Sequence, residues 1–553
     1  MLTSGGAELV SLGSVLPFLA VLTNPESFWQ HSFIQNLAIQ AGFTEASQLL
    51  LPVTAAFALT AVLAGAVRLV NLSLNLRLAA AIGSDLSAEA YRRILYQPYE
   101  VHIKRNSSAV INTITSQLQS TINTLQYLLQ SVTASIVALA LVIGLILIDW
   151  TVALSAAALF GSAYVAVSVT TRRELTVNGY KIAEAGEQLV KALQEGLGAF
   201  RDVLLDNSQP TYLEIYRIAD RSRRQLQAKN NFLGAFPRYA LEATAMVAIA
   251  YLGAFMIIKQ GKASEAIPIL GALALGAQRL LPSLQMVYTG CAVLQSSNAD
   301  LAGVISMLEQ PLPAIFSSPK PMPLVEGISL DSVDFRYSQD LPEVLRGITL
   351  KIAVGERIGL IGSTGSGKST TFDILMGLLE PSSGKFLVDG KNIHDPNYPE
   401  RLASWRATIS HVPQSIYLAD SSIAENIAFG LPRHQIDLKR VKQAAERAQI
   451  ASFIESCFHG YASFVGERGI RLSGGQRQRI GIARALYKSS SVLFFDEATS
   501  ALDGETEQAV MDAFNGLSKD ITIVMIAHRL STVKSCDRVI RLDSGVVIAD
   551  GDL

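Results

Sequence analysis

The stretch Ile358-Gly359-Leu360-Ile361, followed at once by Gly362-Ser363-Thr364-Gly365-Ser366-Gly367-Lys368-Ser369-Thr370, decides how the second half of this chain is read. A short apolar strand runs into a glycine-rich turn, and a helical pattern follows. That is the context a phosphate-cradling P-loop requires. The glycines let the backbone curl so that successive N–H groups surround phosphate oxygens at a helix N-terminus. In this reading Lys368 reaches the β and γ phosphates, and the Ser369 hydroxyl ligates Mg²⁺.

The run Ser491-Val492-Leu493-Phe494-Phe495-Asp496-Glu497 reads as a buried parallel strand that ends in two acids. Open α/β sheets place their ligands at strand ends. Asp496 is then placed to hold Mg²⁺, directly or through water, and Glu497 to polarise the attacking water as general base. An ordinary strand with an acidic turn gives the same pattern when it stands alone. Here it follows Leu472-Ser473-Gly474-Gly475-Gln476.

That pentapeptide resembles the signature of ATP-binding cassette proteins, and the other motifs of the family stand in order across 328–553. By resemblance Tyr337 stacks on adenine, Gln414 belongs to the Q-loop, Ser500-Ala501-Leu502-Asp503 follows the acids, and His528 follows the strand Ile521 to Ile526. The resemblance implies an α/β P-loop nucleotide-binding domain that hydrolyses ATP with Mg²⁺. Ser369, Gln414 and Asp496 are then the metal ligands, and Glu497, His528 and Gln414 the catalytic set. Residues 362–370, Tyr337, Ser473, Gly474, Gly475, Gln476 and Asp503 form the nucleotide contacts. In the family the signature of one cassette closes over the P-loop nucleotide of another. One cassette in one chain therefore implies a homodimer. The loop Val465-Gly466-Glu467-Arg468-Gly469 resembles a segment that exporters carry and importers generally lack.

The first half is a different kind of domain. Of 553 residues 49% are hydrophobic, and the apolar runs lie almost entirely before residue 315. A bilayer core takes about 20 apolar residues in a helix. Six such spans are expected, near 7–23, 49–70, 127–148, 150–170, 239–258 and 266–288, giving an all-α six-helix transmembrane domain over 1–312. The segment Asn24 to Gln48 holds no Lys or Arg, whereas 71–125 and 170–238 are rich in Arg, so the latter two are expected to face the cytoplasm with the ATPase domain. Both basic stretches favour helix, and each is broken once, near Gln97-Pro98-Tyr99 and Asn207-Ser208-Gln209-Pro210. A proline-dense linker, 313–327, precedes the cassette.

The first span is short and holds Glu8, so the native first helix is expected to be longer. Family members also continue past the closing strands at Val546 to Leu553, so a further C-terminal helix is expected. Cys291, Cys457 and Cys536 suit neither a disulfide framework nor a metal cluster, and a formal net charge of −1 gives no reason to expect nucleic acid as a partner.

Six spans fused ahead of a cassette resemble the exporter architecture. Several local features resemble bacterial lipid-linked oligosaccharide flippases: Glu8, Gly13 and Pro17-Phe18 in the first span, the Asn24-Pro25 exit, and an outward segment 26–47 suited to a short amphipathic helix. Phe236-Pro237-Arg238-Tyr239 with Glu242, and Gln278-Arg279-Leu280-Leu281-Pro282-Ser283, extend that likeness. An arginine inside a span is costly unless it meets a wet cavity or an anion. Arg279, Arg238, Arg68 and Arg77 are accordingly candidates to bind a substrate pyrophosphate, against the alternative of an ion pair within the bundle, for instance with Glu242. The function expected is an exporter or flippase of a lipid-linked oligosaccharide or similar anionic amphiphile, in a bacterial inner membrane. The alternatives are an exporter of drugs, simple lipids or another small solute and, remotely, a non-transporting cassette ATPase.

Overall fold

A computed structural model describes residues 2–23, 25–29, 43–148, 150–260, 263–314, 319–496, 518–527 and 533–551, with isolated positions between them. Two compact units result, Met1–Tyr96 with Arg105–Pro311, and Gln97–Lys104 with Leu312–Leu553.

The first unit is helical among its described residues. Its elements are α1 (Leu2–Gly13), α2 (Val15–Thr23), α3 (Pro25–Trp29), α4 (Leu50–Leu95), α5 (Tyr99–Ile103, carried by the second unit), α6 (Ser107–Asn112), α7 (Leu118–Ile148), α8 (Trp150–Gly198), α9 (Phe200–Leu205), α10 (Gln209–Gln260), α11 (Ala263–Ser296) and α12 (Asn298–Leu308). At 46 residues α4 is roughly 69 Å long. The hydrocarbon core of a bilayer accounts for about 30 Å of that. A membrane-spanning helix of this length continues well beyond the membrane, which is what a sequence rich in Ala, Leu and Arg with few breakers favours. Pro98 stops it, because the residue before a proline is pushed out of the helical region, and Pro98 itself sits at ψ 148°. The break expected at 207–210 falls between α9 and α10. Parts of the segment 26–47 lie outside the described residues.

Pro237 lies inside α10 and has no N–H to offer the carbonyl one turn earlier. Side chains of α11 make up the loss. The Tyr288 hydroxyl donates to the Leu233 carbonyl at 2.8 Å, and Gln285 Nε2 donates to the Gly234 carbonyl at 2.7 Å. Against α7 the same helix packs through Gly290, where an added Cβ would strike the Ser131 hydroxyl. That hydroxyl lies 3.0 Å from the Met286 carbonyl, so the pair joins the two helices by close approach and a hydrogen bond together.

The second unit contains two sheets. One is antiparallel, with order β2-β1-β4-β5 from β1 (Gly327–Phe335), β2 (Leu345–Ala353), β4 (Ser383–Val388) and β5 (Lys391–Asn392). The other has order β10-β9-β3-β8-β7-β6, in which β3 (Arg357–Gly362), β6 (Ile409–Val412), β7 (Val492–Asp496), β8 (Thr522–Ile526) and β9 (Arg538–Asp543) run parallel and β10 (Val546–Gly551) closes one edge antiparallel. The five residues of β8, Thr522 and the four apolar ones after it, are all buried, as suits a central parallel strand covered on both faces. The P-loop helix α13 (Lys368–Leu375) packs Phe372 and Ile374 into a core with Phe386, Trp405 and Phe494. A second core, around Ile480, Ala483, Val441 and Ile454, belongs to the helices that follow β6, α16 (Leu438–Arg447) and α18 (Gly474–Lys488) among them. The numbering between these runs through α14 (Glu400–Thr408), α15 (Ile423–Ile427) and α17 (Ala451–Ser456).

Candidate functional site

Because β3, β8, β7 and β6 are parallel neighbours, their carboxyl ends lie side by side, and the motifs separated along the sequence meet there. Gly362 ends β3, Asp496 ends β7, and Gln414 stands in an exposed bend two residues past β6. The pairing Val412 with Phe495 puts the Q-loop beside the acid. Glu497, Asp503 and His528 lie outside the described residues.

The P-loop has the geometry its glycines demand. Gly362 has φ +153° and Gly367 φ +99°. A Cβ at Gly367 would come within 2.6 Å of Leu345 Cδ2, and one at Gly362 would come within 2.6 Å of the Ser366 hydroxyl. Lys368 is 7% exposed and folds back so that Nζ donates to the carbonyls of Gly362 and Ser363, both at 2.8 Å. The ammonium is thereby held over the loop that would wrap the phosphates. Ser366 is buried, and its Oγ has no hydrogen-bond partner among the described residues. An orphaned hydroxyl in a glycine cradle is what a phosphate oxygen completes. Ser369 is exposed at the start of α13, and Thr370 shares a 3.1 Å hydrogen bond with the Tyr337 hydroxyl. Tyr337 packs edge-on against Phe335, at 5.0 Å between ring centres. The hydroxyl of Ser369, the amide of Gln414 and the carboxylate of Asp496 offer oxygen donors of the type that suits a hard divalent cation.

Asp373 is a further acid at this site that the motifs do not flag. It sits on α13, and burial followed by the nearby Asp496 carboxylate pushes it up to about 6. A single carboxylate in an otherwise apolar stretch of the P-loop helix is the signal that marks it. Tyr99 on α5 is raised by burial, then by Asp373 and Tyr337. Next to it, Glu100 accepts from the Glu380 N–H at 3.2 Å. The short helix after the Pro98 break therefore rests against the end of the P-loop helix region, within the second unit.

Ser473 caps α18. Its Oγ accepts from the Gln476 N–H at 3.2 Å while Gln476 Oε1 accepts from the Ser473 N–H at 2.9 Å, a reciprocal box that the S-x-x-Q spacing encodes. Gly474 and Gly475 form the first turn beyond it. The signature packs through Leu472 into the second core, whereas the P-loop helix packs into the first.

The helical unit holds a cleft of about 400 Å³. Among the described residues its polar wall includes Glu8, Arg68, Asn75, Gln130, Thr133 and Gln278. Arg68 Nε lies 2.9 Å from Glu8 Oε1. The Glu8 side chain is 3% exposed and that of Arg68 51%. The partner of Arg68 is thus Glu8 rather than Glu242, and the acid that looks anomalous in the first span is explained by it. Two charges that are each alone in an apolar run tend to pair, which is the signal that could have joined them. Arg77 and Arg238 are exposed on their helices and do not line the cleft, and the side chain of Arg279 lies outside the described residues. Gln278, Pro282 and Ser283, from the stretch singled out in the sixth span, do line it.

The ABC transporter transmembrane region family matches residues 9–274, and the ABC transporter family matches residues 345–500. The ATP-dependent lipid A-core flippase of Alkalilimnicola ehrlichii is 39% identical over 273 residues, 49% of this chain and 45% of that protein. The leukotoxin translocation ATP-binding protein LktB of Mannheimia haemolytica is 42% identical over 233 residues, 42% of this chain and 32% of that protein. The matched stretch spans less than half the length of these curated relatives. A solved bacterial Atm1-family ABC exporter with ATP bound superposes with a TM-score of 0.79 at 26% identity, over 98% of this chain and 94% of that one.

Proposed function

Starting from a chain that carries the transmembrane region and the ATP-binding domain of the ABC transporter family, in the exporter fold, we propose that it is an ATP-hydrolysing flippase or exporter that moves an anionic amphiphile, such as a lipid-linked oligosaccharide, across a bacterial inner membrane. The observation that carries the substrate class is the polar cleft with Arg68 on its wall, set in an otherwise apolar helical unit. A guanidinium half open to such a cleft is suited to a phosphate-bearing headgroup. The lipid named in the flippase relative supports an amphiphile rather than a small soluble solute.

The P-loop binds the phosphates of ATP through backbone N–H groups and Lys368. Ser369, Gln414 and Asp496 would hold Mg²⁺, whose charge offsets that developing on the transferred phosphoryl group. Glu497 orients the attacking water and His528 contacts the γ-phosphate. The P-loop and the signature belong to different cores of one chain. A second copy supplies the signature that completes each nucleotide site, so the working form is a homodimer with its ATP-binding domains in the cytoplasm.

A second reading, export of drugs or simple lipids, is favoured by one observation, the ion pair that already engages Arg68. Reconstitution in liposomes decides between them. ATP-dependent flipping of a fluorescent polyprenyl-pyrophosphate oligosaccharide that is lost in Arg68→Ala or Arg279→Ala supports the first reading. ATP turnover with no movement of that lipid transfers the function to the second.

A further inference from the structure

We propose that Glu8 is a specificity-determining residue of the cleft, which tunes Arg68 to accept phosphate headgroups and to refuse weaker anions. The proposal rests on the anionic-amphiphile reading above and adds to it the device that sets selectivity.

The geometry is asymmetric. Glu8 is sealed in the protein, with its side chain 3% exposed, whereas Arg68 is 51% exposed and lies on the cleft wall. The contact runs through Nε at 2.9 Å, the inner edge of the guanidinium fork. Both side chains line the cleft, but a ligand entering it meets the guanidinium as the far more exposed member of the pair, and meets it already oriented. Among the described residues the other polar groups of the wall are neutral hydrogen-bonding ones, Asn71, Asn75, Gln130, Thr133 and Gln278 among them.

Two consequences follow from charge. An unpaired guanidinium inside a bilayer attracts any anion strongly, because little solvent competes. With Glu8 beside it the charge of the Arg68 guanidinium is offset, so its long-range attraction is weakened and binding depends more on short, directional hydrogen bonds to the fork. A phosphate offers several strongly accepting oxygens with bidentate geometry, and its negative charge exceeds that of a carboxylate. A fatty carboxylate must compete with a carboxylate already in place and gains little. The pair also limits retention, since a bare cation would hold its cargo and slow release.

The test is stimulation of ATPase activity in nanodiscs by three probes of matched chain: a polyprenyl phosphate, a long-chain carboxylate and a neutral prenol. In the parent only the phosphate should stimulate. Glu8→Gln, close to isosteric, should lower the half-saturating phosphate concentration about tenfold, reduce the maximal stimulated rate, and gain a response to the carboxylate. Glu8→Asp should restore the parental selectivity, which a merely structural role would not require. Arg68→Ala should respond to none of the three, and Arg68→Ala with Glu8→Gln should match Arg68→Ala alone.

If the parent responds to the phosphate but Glu8→Gln keeps both the parental half-saturation and the parental selectivity, the anionic reading stands and the role of Glu8 is overturned. If the parent responds to neither anion, the anionic reading falls and takes the proposal with it. A Glu8→Gln protein that fails to fold leaves Glu8→Asp and Arg68→Lys to decide. Arg68→Lys retains the charge but loses the fork, so a selectivity equal to the parent's would overturn the directional argument.

Discussion

The hydroxyl of Tyr288 donates to the carbonyl of Leu233 at 2.8 Å, and that carbonyl lies one turn before Pro237, the residue unable to supply the helical N–H. A break in one long helix is thus satisfied by a side chain of its neighbour. The side-chain donor stands in for the missing backbone N–H, which is what makes the proline tolerable inside the helix.

Replacing Tyr288 by Phe should therefore destabilise the helical unit by about 1–3 kcal/mol, the usual cost of leaving a buried carbonyl unpaired. Thermal unfolding in a mild detergent reads it as a lowered midpoint. Pro237→Ala in the same background should recover most of the loss, because the backbone donor returns. An equal midpoint in Tyr288→Phe and the parent would show that the carbonyl is otherwise satisfied.

At the nucleotide site, Glu497→Gln should bind ATP but hydrolyse little of it, accumulating a closed dimer with trapped nucleotide. Filter-retained radiolabelled ATP and phosphate release measure the two halves of that statement. Undiminished turnover would remove Glu497 from the base role.

Lys368→Ala and Ser473→Ala should each abolish turnover as pure proteins, by different routes. The first loses the cation held over the loop. The second loses the cap of α18, worth about 1 kcal/mol to the helix, along with the hydroxyl that the proposed homodimer would offer to the partner's nucleotide. Co-expressed with separate tags and purified as mixed dimers, they should regain ATPase activity. One of the two sites then combines an intact P-loop with an intact signature. Mixed dimers as inactive as the parents of the cross would argue against shared sites.

Acid should weaken the second unit in a defined window. Burial lowers His411 to about 4, and burial with the neighbouring Arg406 lowers His394 to about 4. Both are bases whose neutral form the fold prefers, so the unfolded chain binds more protons below its ordinary histidine value near 6.5. The contribution is whole above that value and is lost as pH falls toward 4, on the order of a few kcal/mol for the two. Asp373 works in the opposite sense, since its carboxyl is raised to about 6. The comparison is therefore made between the parent and His411→Gln, whose unfolding midpoint should vary less between pH 7.5 and 5. Parallel curves would place His411 in water.

Much of the nucleotide site is legible in the linear chain because its chemistry is local. A P-loop is one strand, one turn and one helix start, and its glycines are needed by the backbone they themselves form, as the φ values of Gly362 and Gly367 record. The S-x-x-Q box at Ser473 and the stop at Pro98 are local in the same way. Asp373 shows in the sequence only as a lone carboxylate in an apolar stretch, since what makes it unusual is its burial and then the neighbouring strand end with Asp496.

The sequence by itself determined the division into an apolar helical half and a P-loop half, the breaks in the long helices, and the order of the nucleotide-binding motifs, because periodicity, proline and glycine act on near neighbours along the chain. Only the tertiary structure decided that Glu8 answers Arg68, that Tyr288 answers Pro237, and that the strand leading to Gln414 pairs with the one that ends in Asp496. Those partners are set by which helix faces and strand edges pack together. That choice depends on the burial of whole surfaces, and no short window of residues contains it.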